Sequence, residues 1–329
     1  MKYDVVIVGS GPAGIFSALE LSWNSDLKTL MLDKGPDLDQ RKCPASRGFG
    51  CVKCDPCVLL QGWGGAGAFS DGKLTLSTEV GGWLGDYIDR ENLRKLIEYV
   101  DEIYLRYGAP KEVYGSNLDK IEDIEKRATF AGLRLIRQKL RHMGTERCYE
   151  TLKNVRKDLE KRVDIRTRVE VKDILVKDGR VVGVRTSSGE KILSKYVILA
   201  PGRSGAEWLT LESQALGIKT YNNPVDVGIR VEVKAPIMEE LTDALYEPKF
   251  IYYSKAFDDQ VRTFCVNPYG EVITESYNNI VTVNGQSYSD RKTENTNFAI
   301  LVSTSFTEPF REPISYGKYL ASLTNLLSG

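Results

Sequence analysis

The sequence predicts an α/β fold with a doubly wound parallel sheet, joined to a second, mostly antiparallel β domain. First, the apolar run Val5–Val8 ends at a glycine-rich turn and leads into a stretch with helical spacing, as buried parallel strands do. Second, short β-rich segments separated by turn residues fill 163–193 and indicate a β-meander. Third, residues 225–310 are mostly strand-like, with few helical patterns.

The turn after the first strand has the pattern G-x-G-x-x-G at Gly9, Gly11 and Gly14. Glycine at these positions allows a sharp turn, the close approach of a pyrophosphate and the close packing of a helix on the strand. A second buried strand, Thr29–Leu32, ends on Asp33, about 20 residues after the last glycine, where an acid can accept hydrogen bonds from a ribose hydroxyl. These features together predict a dinucleotide site, and a plain strand–turn–helix corner is the alternative interpretation.

The composition limits the classes of function. The chain has 329 residues, enough for about two domains. Its 45 basic and 45 acidic residues argue against a dedicated nucleic-acid or membrane-surface protein. No apolar run approaches the roughly 20 residues that span a bilayer, and no signal peptide precedes the first strand, so a cytoplasmic location is expected.

The single histidine, His142, lies in a basic segment with helical spacing and is expected at the surface. One histidine argues against a Ser-His-Asp triad or a metal site with several histidine ligands. If the chain is an enzyme, we therefore expect a cofactor to supply the reactive atom.

We expect a domain boundary between residues 218 and 219. The first domain, 1–218, contains a long irregular segment, 35–82, and helical patterns over 86–161 that we interpret as an insertion or as cover helices. Its helical regions are 86–107 and about 118–161. In the β-rich second domain, 219–329, strands are expected at Val227–Val233, Phe250–Tyr253, Val261–Val266, Glu271–Ser276, Ile280–Val283 and Phe298–Ser303, with a turn at Asn284-Gly285 and a final helix at Tyr316–Leu327.

The irregular segment carries a second G-x-G-x-x-G pattern at Gly62, Gly64 and Gly67. We do not interpret it as a second dinucleotide fold, because Ser70-Asp71-Gly72 is typical of a turn rather than of a helix. Small residues let the backbone lie against a flat ring or a phosphate. The loop is therefore expected to complete the first nucleotide site, or else only to pack against it.

A further buried strand, Tyr196–Ala200, ends in the small-residue loop Pro201–Gly205, a position where α/β sheets bind ligands. This order of elements resembles the flavoprotein branch of the dinucleotide-binding fold, in which a β-meander forms the crossover connection and the later strand ends in Ala-Thr-Gly. Here Pro201 replaces the threonine.

More specifically, the chain resembles a bacterial and archaeal family known as uncharacterised FAD-dependent dehydrogenases. The stretches that carry the resemblance span nearly the whole chain: Cys43-Pro44, Cys51-Val-Lys-Cys-Asp-Pro-Cys57, Gly62-Trp-Gly-Gly-Ala-Gly-Ala-Phe-Ser-Asp-Gly-Lys73, Ala200-Pro-Gly-Arg-Ser-Gly-Ala-Glu-Trp208 and Asp290-Arg-Lys-Thr-Glu-Asn-Thr-Asn-Phe298.

The resemblance implies an FAD-binding site. The residues that it assigns to FAD are Gly9, Ser10, Gly11, Pro12, Ala13, Gly14, Asp33, Lys34, Gly64, Gly65, Ala66, Gly67, Ala68, Phe69, Ser70, Ala200, Pro201 and Gly202, with a main-chain contact to adenine at Val169. Proteins of this type also have a late Gly-Asp-x-x-Gly-type turn for the ribityl chain, which this sequence lacks; Gly85-Asp86 precedes a helix elsewhere. We therefore expect a C-terminally truncated chain whose isoalloxazine half-site is incomplete.

Four of the six cysteines, Cys43, Cys51, Cys54 and Cys57, fall within one short stretch. The last three have the C-x₂-C-x₂-C spacing of a ferredoxin-type [4Fe-4S] cluster, for which Cys43 would be the fourth ligand. Structural thiols or a dithiol that exchanges electrons with flavin, and zinc bound by the four cysteines, are the alternatives.

The predicted function is that of an FAD-dependent dehydrogenase, for which we assign no catalytic residue. Lys73, Arg203 and Arg291 are candidates for contacting an acidic substrate or reduced flavin. No second nucleotide unit is expected, so NAD(P) would bind only transiently, and the partner would be a small-molecule substrate or a protein electron carrier. The alternatives are a non-catalytic electron-transfer or partner-binding flavoprotein and a flavin-dependent RNA modifier, which the neutral charge disfavours.

Overall fold

The structure is a computed structural model that describes residues 2–44, 49, 51–277, 280–306 and 312–328. The helices in these ranges are α1 Pro12–Asn24, α2 Arg90–Arg106, α3 Leu118–Phe130, α4 Gly144–Leu159, α5 Ala206–Ala215, α6 Glu239–Leu245 and α7 Pro313–Ser328. The strands are β1 Lys2–Val8, β2 Thr29–Leu32, β3 Lys73–Thr75, β4 Arg134–Ile136, β5 Leu140–His142, β6 Val163–Arg166, β7 Val171–Lys177, β8 Arg180–Thr186, β9 Lys191–Leu199, β10 Val225–Lys234, β11 Lys249–Tyr253, β12 Gln260–Asn267, β13 Glu271–Tyr277, β14 Ile280–Gln286 and β15 Asn295–Thr304.

The chain divides into two units, and it passes between them several times. The first unit consists of Met1–Phe69, Leu152–Tyr221 and Glu275–Asn279, and the second of Ser70–Thr151, Asn222–Thr274 and Ile280–Gly329.

The first unit contains a six-stranded sheet in the order β6-β2-β1-β9-β8-β7. The first four of these strands are parallel, and β8 and β7 extend the sheet in antiparallel fashion as the meander. Val8 is in register with Leu32 of β2 and with Leu199 of β9, so the carboxyl ends of three parallel strands lie side by side. This edge of the sheet positions the candidate site.

The central strands are buried because apolar side chains fill them. Val6, Leu30 and Leu32 are 0% exposed, and they share a core cluster with Val184 and Ile192 of the meander. Such continuous apolar strands are typical of parallel sheets that are covered on both faces.

The second unit is built on a five-stranded antiparallel sheet in the order β10-β15-β12-β11-β4. The described residues also contain two two-stranded sheets, β13-β14 and the antiparallel pair β3-β5. The pairing of β12 with β15 shifts register between Phe264 and Asn267, which marks a β-bulge. The predicted fold class, a parallel-sheet α/β domain with a separate antiparallel β domain, is confirmed.

The region predicted as helical at 118–161 is interrupted in the structure. Between α3 and α4, the short strands β4 and β5 pair with β11 and β3. Their partners lie far away in the sequence, so the local spacing of apolar residues does not reveal this pairing. The prediction of one helical region was therefore wrong in its middle.

Two further differences concern the second half of the chain and the domain boundary. The turn predicted at Asn284-Gly285 is wrong, because both residues lie within β14. Residues 70–151 cluster with the second unit, although the boundary predicted at 218/219 assigned them to the first. The predicted final helix is confirmed as α7, which extends beyond the predicted ends.

Candidate functional site

A cavity of about 270 Å³ lies in the first unit, at the carboxyl ends of β1, β2 and β9. Its walls come from five segments that are separate in sequence: the turn after β1, the end of β2, the small-residue loop before β3, the start of β7 and the loop after β9. The lining residues are Val8, Gly9, Gly11, Pro12, Leu32, Asp33, Lys34, Leu60, Gln61, Gly65, Ala66, Gly67, Val169, Glu170, Val171, Ala200, Pro201, Gly202, Arg203, Ser204, Gly205 and Trp208.

The glycines of the first turn bring three backbone segments into contact. Gly9 has φ +103°, and a Cβ there would lie 2.1 Å from the carbonyl oxygen of Ala200. A Cβ on Gly14 would lie 2.0 Å from the carbonyl oxygen of Gly9, and one on Gly65 would lie 2.9 Å from Cα of Gly11. The turn after β1, the end of β9 and the later loop can pack this closely because these positions lack side chains.

The amino end of α1 opens onto the cavity. Gly11 is the N-cap residue, no side chain caps the helix, and Pro12 occupies the first turn. The first N–H groups of a helix have no intrahelical acceptor and carry the positive end of the helix dipole. This arrangement favours an anionic group such as a phosphate at this end of the cavity.

Asp33 lies at the end of β2 and is 9% exposed. One of its carboxylate oxygens accepts from the backbone N–H and the hydroxyl of Ser10, at 2.8 and 2.7 Å, and the other accepts from the backbone N–H of Gly35 at 2.8 Å. The backbone oxygen of Asp33 accepts from the N–H of Val169 at 2.9 Å. The acid therefore ties the glycine turn to the end of β2 while it lines the cavity.

The loop before β3 is held by two side chains to which the sequence analysis assigned no role. Arg41 is 3% exposed and donates to the carbonyl oxygens of Val58, Leu59 and Trp63 at 2.6 to 2.9 Å. Trp63 is fully buried, and its indole N–H donates to the carbonyl oxygen of Leu152 at 3.1 Å. Together they fix the loop that contributes Leu60, Gln61 and the Gly65–Gly67 wall.

The loop after β9 forms the opposite wall. Gly202 has φ +64°, and apart from its chain neighbours no atom of the described residues lies within 4 Å of where its Cβ would be. Arg203 lines the cavity and pairs with Glu275 at 2.7 Å, and the indole N–H of Trp208 donates to the carbonyl oxygen of Lys172 at 2.8 Å. Trp208 was part of a recognised sequence stretch, but nothing in its spacing indicated a position in the site.

Residues 3–227, which are more than half of the chain, match the family described as pyridine nucleotide-disulphide oxidoreductase. The chain belongs to this family. Residues 224–323 of this family member match a second description, FAD-dependent protein, C-terminal domain-like. The resemblance to FAD-dependent oxidoreductases that was stated from the sequence is thereby confirmed.

An uncharacterised protein of Clostridium beijerinckii is 28% identical to this family member over 325 residues, covering 93% of this chain and 52% of that protein. The chain thus spans about half the length of this relative.

The fold is also similar to solved structures at low identity. NikD, described as an unusual amino acid oxidase essential for nikkomycin biosynthesis, is 13% identical with a TM-score of 0.49, covering 92% of this chain and 71% of NikD. Glycine oxidase from Geobacillus kaustophilus is 14% identical with a TM-score of 0.45, covering 93% and 73%. L-proline dehydrogenase from P. horikoshii is 14% identical with a TM-score of 0.43, covering 98% and 78%.

Most of the residues predicted for the nucleotide site line the cavity described above, but seven of them do not. Ser10 is buried behind Asp33, and Gly14 is buried under the turn. Ser70 belongs to the second unit. The others outside the lining are Ala13, Gly64, Ala68 and Phe69.

The four clustered cysteines differ in their surroundings. Cys43 and Cys57 are buried in an apolar cluster with Leu59 and Leu60, Cys51 is exposed and Cys54 is partly exposed. Within the described residues, no three histidine, cysteine, aspartate or glutamate side chains come together as ligands of a metal ion would. Gly48 and Gly50 of the same stretch lie outside those residues. The geometry that is described gives no support to a [4Fe-4S] cluster or a zinc site at these cysteines.

Two of the three basic candidates lie in the second unit. The side chain of Lys73 is 9% exposed and pairs with Asp71 at 3.0 Å and with Glu247 at 2.9 Å. Arg291 lies 3.6 Å from the ring centroid of Tyr288 and 3.4 Å from Glu271. Only Arg203 lines the cavity.

The prediction that His142 lies at the solvated surface was wrong. Its Nε2 lies 2.7 Å from the hydroxyl of Tyr246 and 3.1 Å from that of Ser287, and its ring stacks on the Tyr246 ring at 4.2 Å. Burial, followed by the charges of Lys73 and Arg147, lowers the pKa of His142 to about 3. The basic residues beside His142 in the sequence suggested an exposed segment. In the structure His142 ends β5, and its ring contacts the hydroxyl groups of Tyr246 and Ser287.

Proposed function

We propose that this chain binds FAD in the cavity of the first unit and works as an FAD-dependent oxidoreductase on a small-molecule substrate. The observation that carries the proposal is the convergence of an uncapped helix end, a carboxylate and three glycine-rich backbone segments on one cavity. This is the set of groups that an adenine dinucleotide requires. Family membership and the FAD-dependent C-terminal match support the same cofactor.

The residues of the cavity fit the nucleotide half of FAD by their chemistry. The amino end of α1 beyond Gly11 would hold the pyrophosphate, and Asp33 would accept hydrogen bonds from the ribose hydroxyls. The backbone carbonyl of Val169 would face the adenine, since its N–H is already bonded to Asp33. Bound flavin would supply a group that accepts and returns a hydride, which carries two electrons.

A glycine substitution tests the proposal directly. A Cβ on Gly11 would have Cα of Gly65, 3.9 Å away, as its nearest atom, so Gly11→Ala fits the folded chain. The methyl group would occupy the space into which the pyrophosphate must come. We expect the purified wild-type chain to carry flavin, with absorption bands near roughly 375 and 450 nm. We expect Gly11→Ala to bind added FAD at least about tenfold more weakly.

Gly317→Ala is the matched control, because a Cβ there makes ordinary contact with Val225 at 3.4 Å in the second unit. This variant should keep the flavin content of the wild type. A wild-type chain that is colourless and does not respond to added FAD would refute the proposal, as would full flavin occupancy in Gly11→Ala.

Reduction of the bound flavin in the same sample distinguishes an enzyme with its own substrate from an electron-transfer protein. Bleaching of the flavin bands by members of a panel of small metabolites supports an oxidoreductase with its own substrate. Bleaching by a reduced protein carrier alone would favour the electron-transfer flavoprotein. Iron and acid-labile sulfide are measured on the same sample. Stoichiometric amounts of both would support the [4Fe-4S] cluster that the cysteine spacing predicts.

A further inference from the structure

Gln61 lines the cavity of the first unit, and its side chain forms no hydrogen bond within the described residues. The residue is 7% exposed. Its Oε1 is fully buried, and Nε2 is the less buried end of the amide. Because the side chain belongs to the cavity wall, a molecule bound in the cavity can reach the amide.

The backbone around Gln61 is fixed, although its side chain is not. The N–H of Gln61 donates to the carbonyl oxygen of Cys57 at 2.9 Å. On either side of it, Arg41 donates to the carbonyl oxygens of Leu59 and Trp63 at 2.9 and 2.6 Å. A buried amide that forms no hydrogen bond is destabilising, whereas an apolar side chain of the same shape carries no such penalty. The position therefore indicates a hydrogen-bond partner from outside the chain.

Gln61 lies beside the acid at the end of β2. A Cβ on Gly35 would lie 2.4 Å from the carbonyl carbon of Gln61, and the backbone N–H of Gly35 donates to Oδ1 of Asp33 at 2.8 Å. Further along, the same loop reaches the first glycine turn, where Gly65 packs on Gly11. The loop thus runs from the acid toward the phosphate end of the cavity. In a dinucleotide site the acid marks the ribose, so Gln61 lies at the ribose end.

Most of the acceptor capacity of Asp33 is used within the chain. Its Oδ2 accepts from both the N–H and the hydroxyl of Ser10, and its Oδ1 accepts from the N–H of Gly35. A carboxylate has about four acceptor sites, so about one remains, and it lies on Oδ1. The ribose of adenosine presents two neighbouring hydroxyls. This narrows the contact of Asp33 to one of them, and the other hydroxyl needs a different partner.

Two other polar side chains line this end of the cavity, but both are more exposed than Gln61. Lys34 is partly exposed, and Glu170 is exposed and accepts from the hydroxyl of Ser187 at 2.7 Å. An exposed charged group exchanges a bond to water for a bond to a hydroxyl, with little net gain. The amide of Gln61 is shielded from water and has no such bond to give up. It therefore gains more than either charged group from a ribose hydroxyl.

We propose that Gln61 binds one hydroxyl of the adenosine ribose, while Asp33 binds the neighbouring hydroxyl. A hydroxyl both donates and accepts, and no bond holds the amide in one orientation, so either end of the amide can serve. This assignment rests on the FAD site proposed above and adds a second ribose-binding residue to it. Recognition of the intact ribose is then shared between the end of β2 and the loop before β3.

Three competitors test this division of the hydroxyls on the wild-type chain. ADP, 2′-deoxy-ADP and 3′-deoxy-ADP are used to displace bound FAD, and release is followed by the recovery of flavin fluorescence. Because each hydroxyl has its own partner, both deoxy analogues should bind at least about fivefold more weakly than ADP. An analogue that binds as tightly as ADP would overturn the proposal.

Gln61→Met removes the amide and keeps an unbranched side chain of similar length. We expect FAD and ADP to bind at least about fivefold more weakly to this variant. One of the two deoxy analogues should now bind as well as ADP, because the hydroxyl that it lacks has no partner left. The other should keep its deficit, because Asp33 is unchanged. A residue that only supports the loop would weaken all three competitors equally, and unchanged ratios would therefore contradict the proposal.

Thermal melting without flavin provides a readout that needs no ligand. Gln61→Met should melt at or above the temperature of the wild type, because an apolar group replaces a buried amide without a partner. Gln214→Met is the matched control, since Gln214 is an exposed glutamine on α5 of the same unit. It should leave the affinities and their ratios unchanged. If Gln61→Met does not melt cooperatively, the competitor ratios of the wild type decide.

The same measurements separate this proposal from the FAD proposal. A wild-type chain that binds neither FAD nor ADP refutes both. Full FAD and ADP affinity in Gln61→Met refutes the role of Gln61 alone. Lys34→Met tests the rival residue: if this variant loses the discrimination against a deoxy analogue and Gln61→Met keeps it, the second hydroxyl belongs to Lys34 and the proposal is overturned.

Discussion

Gly14 and Gly11 belong to the same turn but differ in what surrounds them. A Cβ on Gly14 would lie 2.0 Å from the carbonyl oxygen of Gly9, whereas the nearest atom to a Cβ on Gly11 is 3.9 Å away. Because backbone cannot yield as a flexible side chain does, Gly14→Ala should lower the free energy of unfolding by about 3 kcal/mol or more. Gly11→Ala should change it by less than about 1 kcal/mol. Urea denaturation of the two variants compares them, and equal stabilities would contradict this account of the turn.

His142 gives a prediction about pH. Its pKa is about 3 in the folded chain and about 6.5 when unfolded, so the unfolded chain takes up the proton first as the pH falls. The neutral ring therefore stabilises the fold above pH 6.5, and this contribution is lost toward pH 3 at about 1.4 kcal/mol per pH unit.

His142→Gln cannot gain this charge, so its stability relative to the wild type should improve as the pH falls from 7 to 4, measured by urea denaturation. The chain has a single histidine, so its ring resonances can be followed by NMR without assignment. A ring that titrates near pH 6.5 in the folded chain would disprove that burial lowers the pKa of His142.

At the residue scale, the sequence predicted the parts of the cavity that a local motif encodes. Gly9, Gly11 and Asp33 have a spacing that nucleotide chemistry requires, and the structure places all three in the cavity wall. Arg41 was not predicted, because its role depends on carbonyl groups from 58 to 63 that only the folded loop turns toward it. The only hint of this role in the sequence was the presence of an arginine within a long irregular segment.

At the scale of structural elements, the conformation of the loop before β3 depends on Arg41. Arg41→Lys would leave some of the carbonyl oxygens of Val58, Leu59 and Trp63 without a donor, because one ammonium group cannot reach all of them. We expect a loss of about 2–4 kcal/mol in the free energy of unfolding, with faster hydrogen exchange in 58–67 and weaker FAD binding.

Arg162→Lys is the control for this change, since Arg162 makes an exposed hydrogen bond to the carbonyl oxygen of Ser22. It should shift stability by less than about 0.5 kcal/mol. Unchanged exchange across the loop in Arg41→Lys would mean that other contacts hold the loop.

Elements with a strong local pattern were predicted well, and elements without one were not. The strands β10, β11, β12 and β15 are rich in β-branched or aromatic residues, and the structure contains each of them near the predicted bounds. The strands β4 and β5 have three residues each and lie among charged residues, so only their distant partners define them. Gly285 suggested a turn, but it is glycine because Asn267, Arg230 and Asn297 pack against its Cα.

At the scale of the whole molecule, the charges balance at 45 basic and 45 acidic residues. Binding of nucleic acid depends mainly on the neutralisation of phosphates by excess positive charge. We therefore expect no retention of RNA in filter-binding assays at about 50 or 200 mM salt. A basic RNA-binding protein serves as the positive control. Retention that weakens steeply with salt would revive the interpretation as a flavin-dependent RNA modifier.

The division into units could not be read from the sequence, because the chain passes between them more than once. A strand such as β13 begins in the second unit, while its last residues, Glu275–Tyr277, cluster with the first. The functions assigned to the predicted domains 1–218 and 219–329, FAD binding and a substrate or cap role, therefore remain predictions.

No helix in the described ranges is both long enough and apolar enough to cross a bilayer. The expected cytoplasmic location stays a prediction that fractionation of cells can test.

The two walls of the cavity are made at very different times on the ribosome. The turn at Gly9 leaves the exit tunnel early, but the facing loop at Ala200–Gly205 follows after some 190 further residues, a delay of about 10 to 40 s at ordinary elongation rates. During that interval β1 has no neighbour on its β9 side, and its apolar edge is open to chaperones and to other nascent chains. A nucleotide can therefore be enclosed only after both walls have been synthesised, and cells short of the ligand would contain chains whose cavity is unfilled.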